Sequence, residues 1–271
     1  MSARKYATVF AIAARDQVVY IASFLMRNVF FVIILFVFYS LWRVIYGGAP
    51  DGVAASGATT IAGFTMVQVL WYLTFTETIE LSQTRVFMPI SAEVKDGTIA
   101  YSLCRPYSYV LYWISRSMGE NIVKIAPMLL TGFVVATLFV GPLPGYLTAL
   151  PVGLVAIVMG VLIGTTVQTI IGLLAFWFEE VSPFWWIIQK LVFVIGGMFI
   201  PLDFYPEWLA NVARWSPFAF VAYWPASTWV DFSFDRAMTT IVGQFVYAVA
   251  LLALAAGVFR SAVRKLHVQG G

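Results

Sequence analysis

The sequence predicts an all-α integral membrane protein with about six membrane-spanning helices, an N-terminal interfacial helix, and a short external helix or re-entrant segment before the last span. Three observations carry this. Of 271 residues, 61% are hydrophobic and only 11% are charged, and the mean hydropathy is +0.89. A soluble domain carries about 25% charged residues, so a chain with so few cannot cover a water-facing surface. Apolar runs recur at about the 20-residue length that a bilayer core demands. Backbone groups in lipid must be satisfied within the chain, and runs of that length do this as helices.

Residues 6–20 mix apolar side chains with Arg15, Asp16 and Gln17, the pattern of an amphipathic helix lying in the interface. The alternative is that this segment extends the first span. The spans themselves are expected near residues 24–46, 58–78, 120–140, 149–178, 183–200 and 238–258. The second is the most polar, with Gln68, Thr74, Thr76 and Glu77. Internal repeats, low-complexity tracts and a soluble domain are not evident, so residues 1–271 read as a single transmembrane domain. A cleavable leader is not expected, because Arg4, Lys5, Arg15 and Asp16 come before any long apolar run.

Loop charges set the expected orientation. Arg4, Lys5 and Arg15 precede the first span. Arg85, Lys95, Arg105 and Arg116 lie between the second and third, and Arg260, Arg264 and Lys265 follow the sixth. With an even number of spans all three groups fall on one side, which reads as cytoplasmic for both termini of an inner-membrane protein. The other side holds Asp51, Asp203, Glu207, Asp231 and Asp235, with Arg214 and Arg236. The net charge of +3 and the pI near 9.0 then reflect basic loops beside anionic lipid rather than a nucleic-acid partner. Cys104 is the one cysteine and His267, in the polar tail, the one histidine. An internal disulfide and a Cys/His metal cluster are therefore excluded, though a carboxylate site is not.

Two local patterns say more than hydropathy. Near the end of the fifth span an apolar run meets Gly196 and Gly197. Pro201 breaks it, and an acidic aromatic turn with Asp203, Tyr205 and Pro206 leads into a short amphipathic helix ending near Arg214. The long loop that follows is rich in Trp208, Trp215, Trp224 and Trp229, residues favoured at the headgroup level. The second pattern lies in the basic loop after the second span. Glu93, Val94 and Lys95 lead to Asp96-Gly97, a turn signal because glycine takes positive φ without strain. A segment ending Leu103-Cys104-Arg105-Pro106 follows, and Pro106 bounds it. These charges either solvate a loop or present a short helix to a soluble partner.

The order and sidedness of these patterns resemble the ABC-2-type permeases of ABC transporters, and within them a bacterial branch often found as two permeases with one ATPase. That resemblance implies a coupling segment at Glu93, Val94, Lys95, Asp96, Gly97 and Leu103, which docks on a separate ATPase subunit. It implies an external helix break or gate at Gly196, Gly197, Pro201 and Pro206. A substrate route beside the first, second and fifth spans would involve Phe31, Trp71, Phe75, Phe193 and Phe199, although ordinary packing also accounts for each. The resemblance also implies a second permease chain, the same or homologous, and a hydrophobic or amphipathic substrate moved outward by alternating access. The sequence contains no Gly-x-x-x-x-Gly-Lys-Ser/Thr run, so the chain itself is expected to hold no cofactor and to be no enzyme. ATP and Mg belong on the partner ATPase.

Other features leave rival readings open. Glu77 and Glu80 sit near one end of the second span, with Arg27, Arg85 and Lys124 as candidate partners; a proton relay is the alternative. An ion-coupled secondary transporter would build on such carboxylates and on inverted halves, which are not evident. A membrane lipid enzyme would need convergent polar groups that the sequence does not offer. Glu179 and Glu180 read as solvating or capping a turn before Pro183. Gly160 and Gly164 form a Gly-x-x-x-Gly pair suited to close helix packing, within the chain or between copies.

Overall fold

The computed structural model describes residues 3–19, 21–47 and 60–269. Tyr20, Asp51, the expected start of the second span at Ala58, and the side chain of His267 lie outside them. Among the described residues the chain is helical between turns, with one isolated β-bridge joining Ile61 and Phe64. The helices are α1 (Ala3–Val19), α2 (Ile21–Ile45), α3 (Met66–Ser82), α4 (Phe87–Lys95), α5 (Ile99–Leu103), α6 (Tyr109–Val140), α7 (Tyr146–Leu173), α8 (Ser182–Val194), α9 (Glu207–Arg214), α10 (Tyr223–Val230) and α11 (Phe234–Gln269).

Four stretches are long and apolar enough to cross a bilayer: Leu25–Ile45, Tyr109–Val140, Tyr146–Phe176 and Phe234–Lys265. The other two expected spans are shorter helices. α3 has 17 residues and α8 has 13. At 1.5 Å per residue they reach about 26 Å and about 20 Å, against a hydrocarbon core of about 30 Å. α6 begins at Tyr109 rather than near residue 120. Ser108 caps it by accepting from the Leu111 amide at 3.5 Å, and Arg116 and Glu120 pair along one face at 3.3 Å. Those charges depress hydropathy over a stretch that is nonetheless helical.

α3 is the axis of the bundle. Every residue from Val69 to Ile79 is buried, against α2, α6, α7 and α10. Its start is fixed by a reciprocal cap: Thr65 accepts from the Gln68 amide at 3.3 Å, and Gln68 accepts from the Thr65 amide at 3.0 Å. α11 closes on α7, where Gln244 donates to the carbonyls of Ala156 (2.8 Å) and Phe220 (3.0 Å). The outer faces of α2 and α11 expose Val29, Phe36, Val44, Phe245 and Val249, as helices solvated by lipid do.

The two ends of the bundle differ in charge. At the basic end, α1 packs along α6, Lys5 donates to the Pro106 carbonyl (3.1 Å), and the Ser108 amide donates to Tyr6 (2.9 Å). Phe259 near the end of α11 stacks on Tyr109 at 5.3 Å, and Lys265 lies over Trp177. The N-terminal helix, the α4–α5 loop, the turn after α7 and the end of α11 therefore meet at one end. At the acidic end lie Asp203, Glu207, Asp231 and Asp235. Arg214 pairs with Asp203 at 2.9 Å and Arg236 with Asp231 at 2.8 Å.

Candidate functional site

The tip at the basic end is built from α4 and α5. α4 lies on α7 at Gly172, where any side chain would strike Ile90 and the backbone of Phe87. Its last turn closes through the Asp96 amide on the Ala92 carbonyl (2.9 Å). Gly97 follows at φ +71° with open space around it, the left-handed residue the sequence pattern calls for. The charges do not all face outward. Glu93 accepts from the Tyr109 hydroxyl at 2.8 Å and from Ser102 at 3.4 Å, tying α4 to α5 and α6. Lys95 pairs with Glu180 at 3.0 Å, tying α4 to the turn before α8. Glu180 also accepts from the Ser182 hydroxyl (2.6 Å) and amide (2.9 Å). The Ser182 bonds, with Lys95 beside them, pull its carboxyl pKa down to about 2. Val94 and Leu103 are half-buried, while Asp96, Gly97, Cys104 and Arg105 are exposed. Tyr101 is 76% exposed, an aromatic ring with almost no cover from its own chain.

A cavity of about 650 Å³ opens between α2, α3, α6, α7 and α8. Its wall toward the basic end carries Arg27, Glu77, Glu80, Arg85, Lys124, Gln168 and Gln189. Toward the other end it carries Ile34, Phe193, Met198 and Phe199. Arg27 donates to the Leu81 carbonyl (2.6 Å), Lys124 to the Thr84 hydroxyl (2.5 Å), and Gln189 to Glu80 (2.9 Å). Among the described residues no ion pair joins Glu77 or Glu80 to these cations. Nor do the described residues hold a group of three or more His, Cys, Asp or Glu placed for a metal ion.

α8 stops partway along the bundle, short of the acidic end. Gly196 leaves no room for a side chain between the Val192 and Phe218 carbonyls, and Gly197 sits at φ +68°. Groups that this break frees are met from α3 and the first residue of α10. Tyr72 donates to the Gly197 carbonyl (2.5 Å), Thr76 to the Met198 carbonyl (2.9 Å), and the Tyr223 amide to the Gly196 carbonyl (3.1 Å). Pro201 precedes a single 3₁₀ turn, Leu202–Phe204, and Pro206 stands at the start of α9. On α9, Ala210 and Ala213 are buried while Trp208 and Val212 face out, with Trp215 exposed just beyond. α10 then returns into the bundle, with its Trp229 stacked on Phe75 at 4.5 Å and covering Gly153.

A family model described as ABC-2 family transporter protein matches residues 51–270. The chain belongs to this family. It is thus a multi-pass membrane permease subunit of an ABC transporter, non-catalytic itself and working with an ATPase subunit. No curated protein matches the chain.

In this ABC-2 permease the residues singled out from sequence fall into distinct settings. Of the coupling candidates, Asp96 and Gly97 form the exposed turn, Lys95 is held to Glu180, and Glu93, Val94 and Leu103 face the body of the protein. Gly196, Gly197 and Pro201 are buried at the break, and Pro206 is exposed beyond it. Phe193 and Phe199 line the cavity with their rings 4.7 Å apart. Phe31, Trp71 and Phe75 lie elsewhere: all three are at most 1% exposed, in the packing of α2, α3, α6 and α10. Sequence reading overlooked Tyr101, Gln168 and Gln189. Tyr101 carried a usable signal, an aromatic residue inside a polar loop; the two glutamines sit in apolar runs with nothing to mark which face they take.

Proposed function

We propose that this permease is half of the membrane pathway of an ATP-driven exporter in the inner membrane, with both termini and the basic end in the cytoplasm. The observation that carries the reading is the α4–α5 tip, which is exposed at Tyr101 and Asp96 but anchored at both flanks. Force on that tip passes through Glu93–Tyr109 into α6 and through Lys95–Glu180 toward α8. α8 forms one wall of the cavity and ends at the glycine break, so movement of the tip reaches both the route and the outer gate.

On this reading the ATPase subunit binds ATP and Mg and presses on the tip as it closes. A second permease, identical or homologous, faces this one across the route. A hydrophobic or amphipathic substrate enters at the charged wall of the cavity and leaves past Gly196, Gly197, Pro201 and Pro206 by alternating access. Residues 1–271 act as a single transmembrane domain. Glu77 and Glu80 in the cavity favour one rival, ion- or proton-coupled transport.

The test is co-expression of the permease with its ATPase subunit, followed by purification and ATPase assay against amphipathic compounds. Wild type is expected to co-purify and to show substrate-stimulated hydrolysis. Tyr101→Glu is expected to lose the ATPase subunit, and Gly97→Val to keep the fold but lose stimulation. Unchanged stimulation in both variants, or transport driven by an ion gradient without ATPase, removes the exporter reading.

A further inference from the structure

The cavity has a chemical direction. α2 and α8 both run from the basic end toward the acidic end. Arg27 lies early in α2 and Trp185 early in α8, with Gln189 just past its middle, whereas Phe193 and Phe199 come at and past its end. Glu80 and Arg85 lie at and beyond the basic end of α3. The wall is therefore charged at the basic end and aromatic toward the middle of the bundle. A lipid of the leaflet on the basic side has the same layout, head at that surface and chains toward the centre.

Three cations, Arg27, Arg85 and Lys124, line the wall with two carboxylates, Glu77 and Glu80, and among the described residues no ion pair joins them; Glu120, one turn before Lys124 on α6, is paired with Arg116 instead. Arg27 and Lys124 bond only neutral oxygens, of Leu81 and Thr84. Lys124 is buried and Arg27 half-buried, and a desolvated cation is costly unless a counter-charge or water reaches it. Gln168, also on this wall, is held in place by donating its Nε2 to Gln83 at 3.0 Å. An anionic group answers the cations left without a counter-charge.

We infer that this cavity binds an amphiphile through a phosphate-type anionic head, received by Arg27, Arg85 and Lys124, with its apolar part against Phe193 and Phe199. The inference rests on the proposed reading of the cavity as part of the transport route, and it names the substrate class that route takes. Glu77 and Glu80 disfavour a head of higher negative charge and set the site for one phosphate rather than several.

The test reads lipid retention by the purified full-length permease, by native mass spectrometry from detergent, without the ATPase subunit. Phosphatidylglycerol is compared with phosphatidylcholine of the same chains, with inorganic phosphate as competitor. Wild type is expected to retain phosphatidylglycerol in preference. Arg85→Gln and Lys124→Gln are each expected to weaken retention about tenfold, the scale of one charge-assisted hydrogen bond. Arg260→Gln, an exposed cation on α11 outside the cavity, serves as the control and is expected to change nothing. Equal retention of the two lipids, or equal loss in all three variants, overturns the inference. Displacement by an equal concentration of inorganic phosphate also overturns it, leaving a plain anion site. Since no ATPase enters this assay, a retained lipid preference in a permease that fails to recruit an ATPase would discard the exporter reading and keep the site.

Discussion

Glu180 shows how a single side chain is fixed by neighbours that sequence does not bring together. Read alone, it solvates a turn; in the fold it takes the Ser182 hydroxyl and amide and then Lys95 from α4. Its depressed carboxyl pKa, about 2, fixes the sign of its pH response. A lowered carboxylate contributes above its unfolded value and loses that contribution only as the pH falls through the folded one. The Lys95–Glu180 tie is therefore constant from about pH 5 to 8. The ATPase pH profile of the assembled complex is expected to show no step in that range that Glu180→Gln removes; such a step would show that the carboxyl titrates there. Gly160 makes a steric case. A methyl group there would lie 2.6 Å from the Val221 carbonyl oxygen, whereas Gly257 has open space. Gly160→Ala is expected to cost about 1–3 kcal/mol by overpacking and Gly257→Ala to cost nothing, read as thermal midpoints in detergent. These contacts assign the Gly-x-x-x-Gly pair to packing inside the chain, since Gly160 meets the Val221 segment and Gly164 meets Gln83.

At the scale of elements, α3 and α8 explain each other. α8 is shorter than a hydrocarbon core and is followed by Gly197 in the left-handed region, which frees carbonyls where lipid offers no donors. α3 supplies them from Tyr72 and Thr76, and Gln68 reaches the Val230 carbonyl at the end of α10 at 3.3 Å. The polar residues that make α3 a poor membrane span by composition are thus partners for broken backbone around it. Tyr72→Phe removes one donor and keeps the ring. It is expected to destabilise by about 1–3 kcal/mol, the cost of an unsatisfied buried carbonyl. Amide exchange should rise around residues 196–204 and stay unchanged in α11; a uniform rise would mean that the hydroxyl supports the bundle as a whole.

The whole molecule is polarised along its length. Lys5, Lys95, Arg105, Arg260 and Lys265 gather at the end formed by α1, the tip and the end of α11, and Asp203, Glu207 and Asp231 at the other. Exposed Trp208 and Trp215 sit at the acidic end, as residues anchoring at a headgroup layer do. Cys104, the one cysteine, is exposed on the tip and reports the orientation without any engineering. With the permease expressed without its ATPase subunit, a membrane-impermeant maleimide is expected to label Cys104 in inverted vesicles and not in intact cells. The reverse pattern would put the basic end outside and invert the proposed topology.

The sequence by itself determined the solvent, the class and the punctuation of this permease. Composition alone demanded lipid-facing helices, and Asp96-Gly97, Gly196-Gly197 and Pro201 marked turns that the backbone does take, because left-handed φ and a missing amide donor are local properties of those residues. The family was also legible, since its motifs are short and ordered along the chain. How long each helix runs was decided by tertiary structure. Hydropathy marks α3 as the most polar span and weighs α8 like the others, but the length of both and the destination of their polar groups are set by neighbours. The same holds for the site. Phe31 and Phe193 are equivalent aromatic residues in apolar runs, yet one is sealed against α6 and the other lines the cavity. Burial depends on which helices surround a residue, and a lipid-facing helix and a core helix have nearly the same composition, so only the packed bundle separates them.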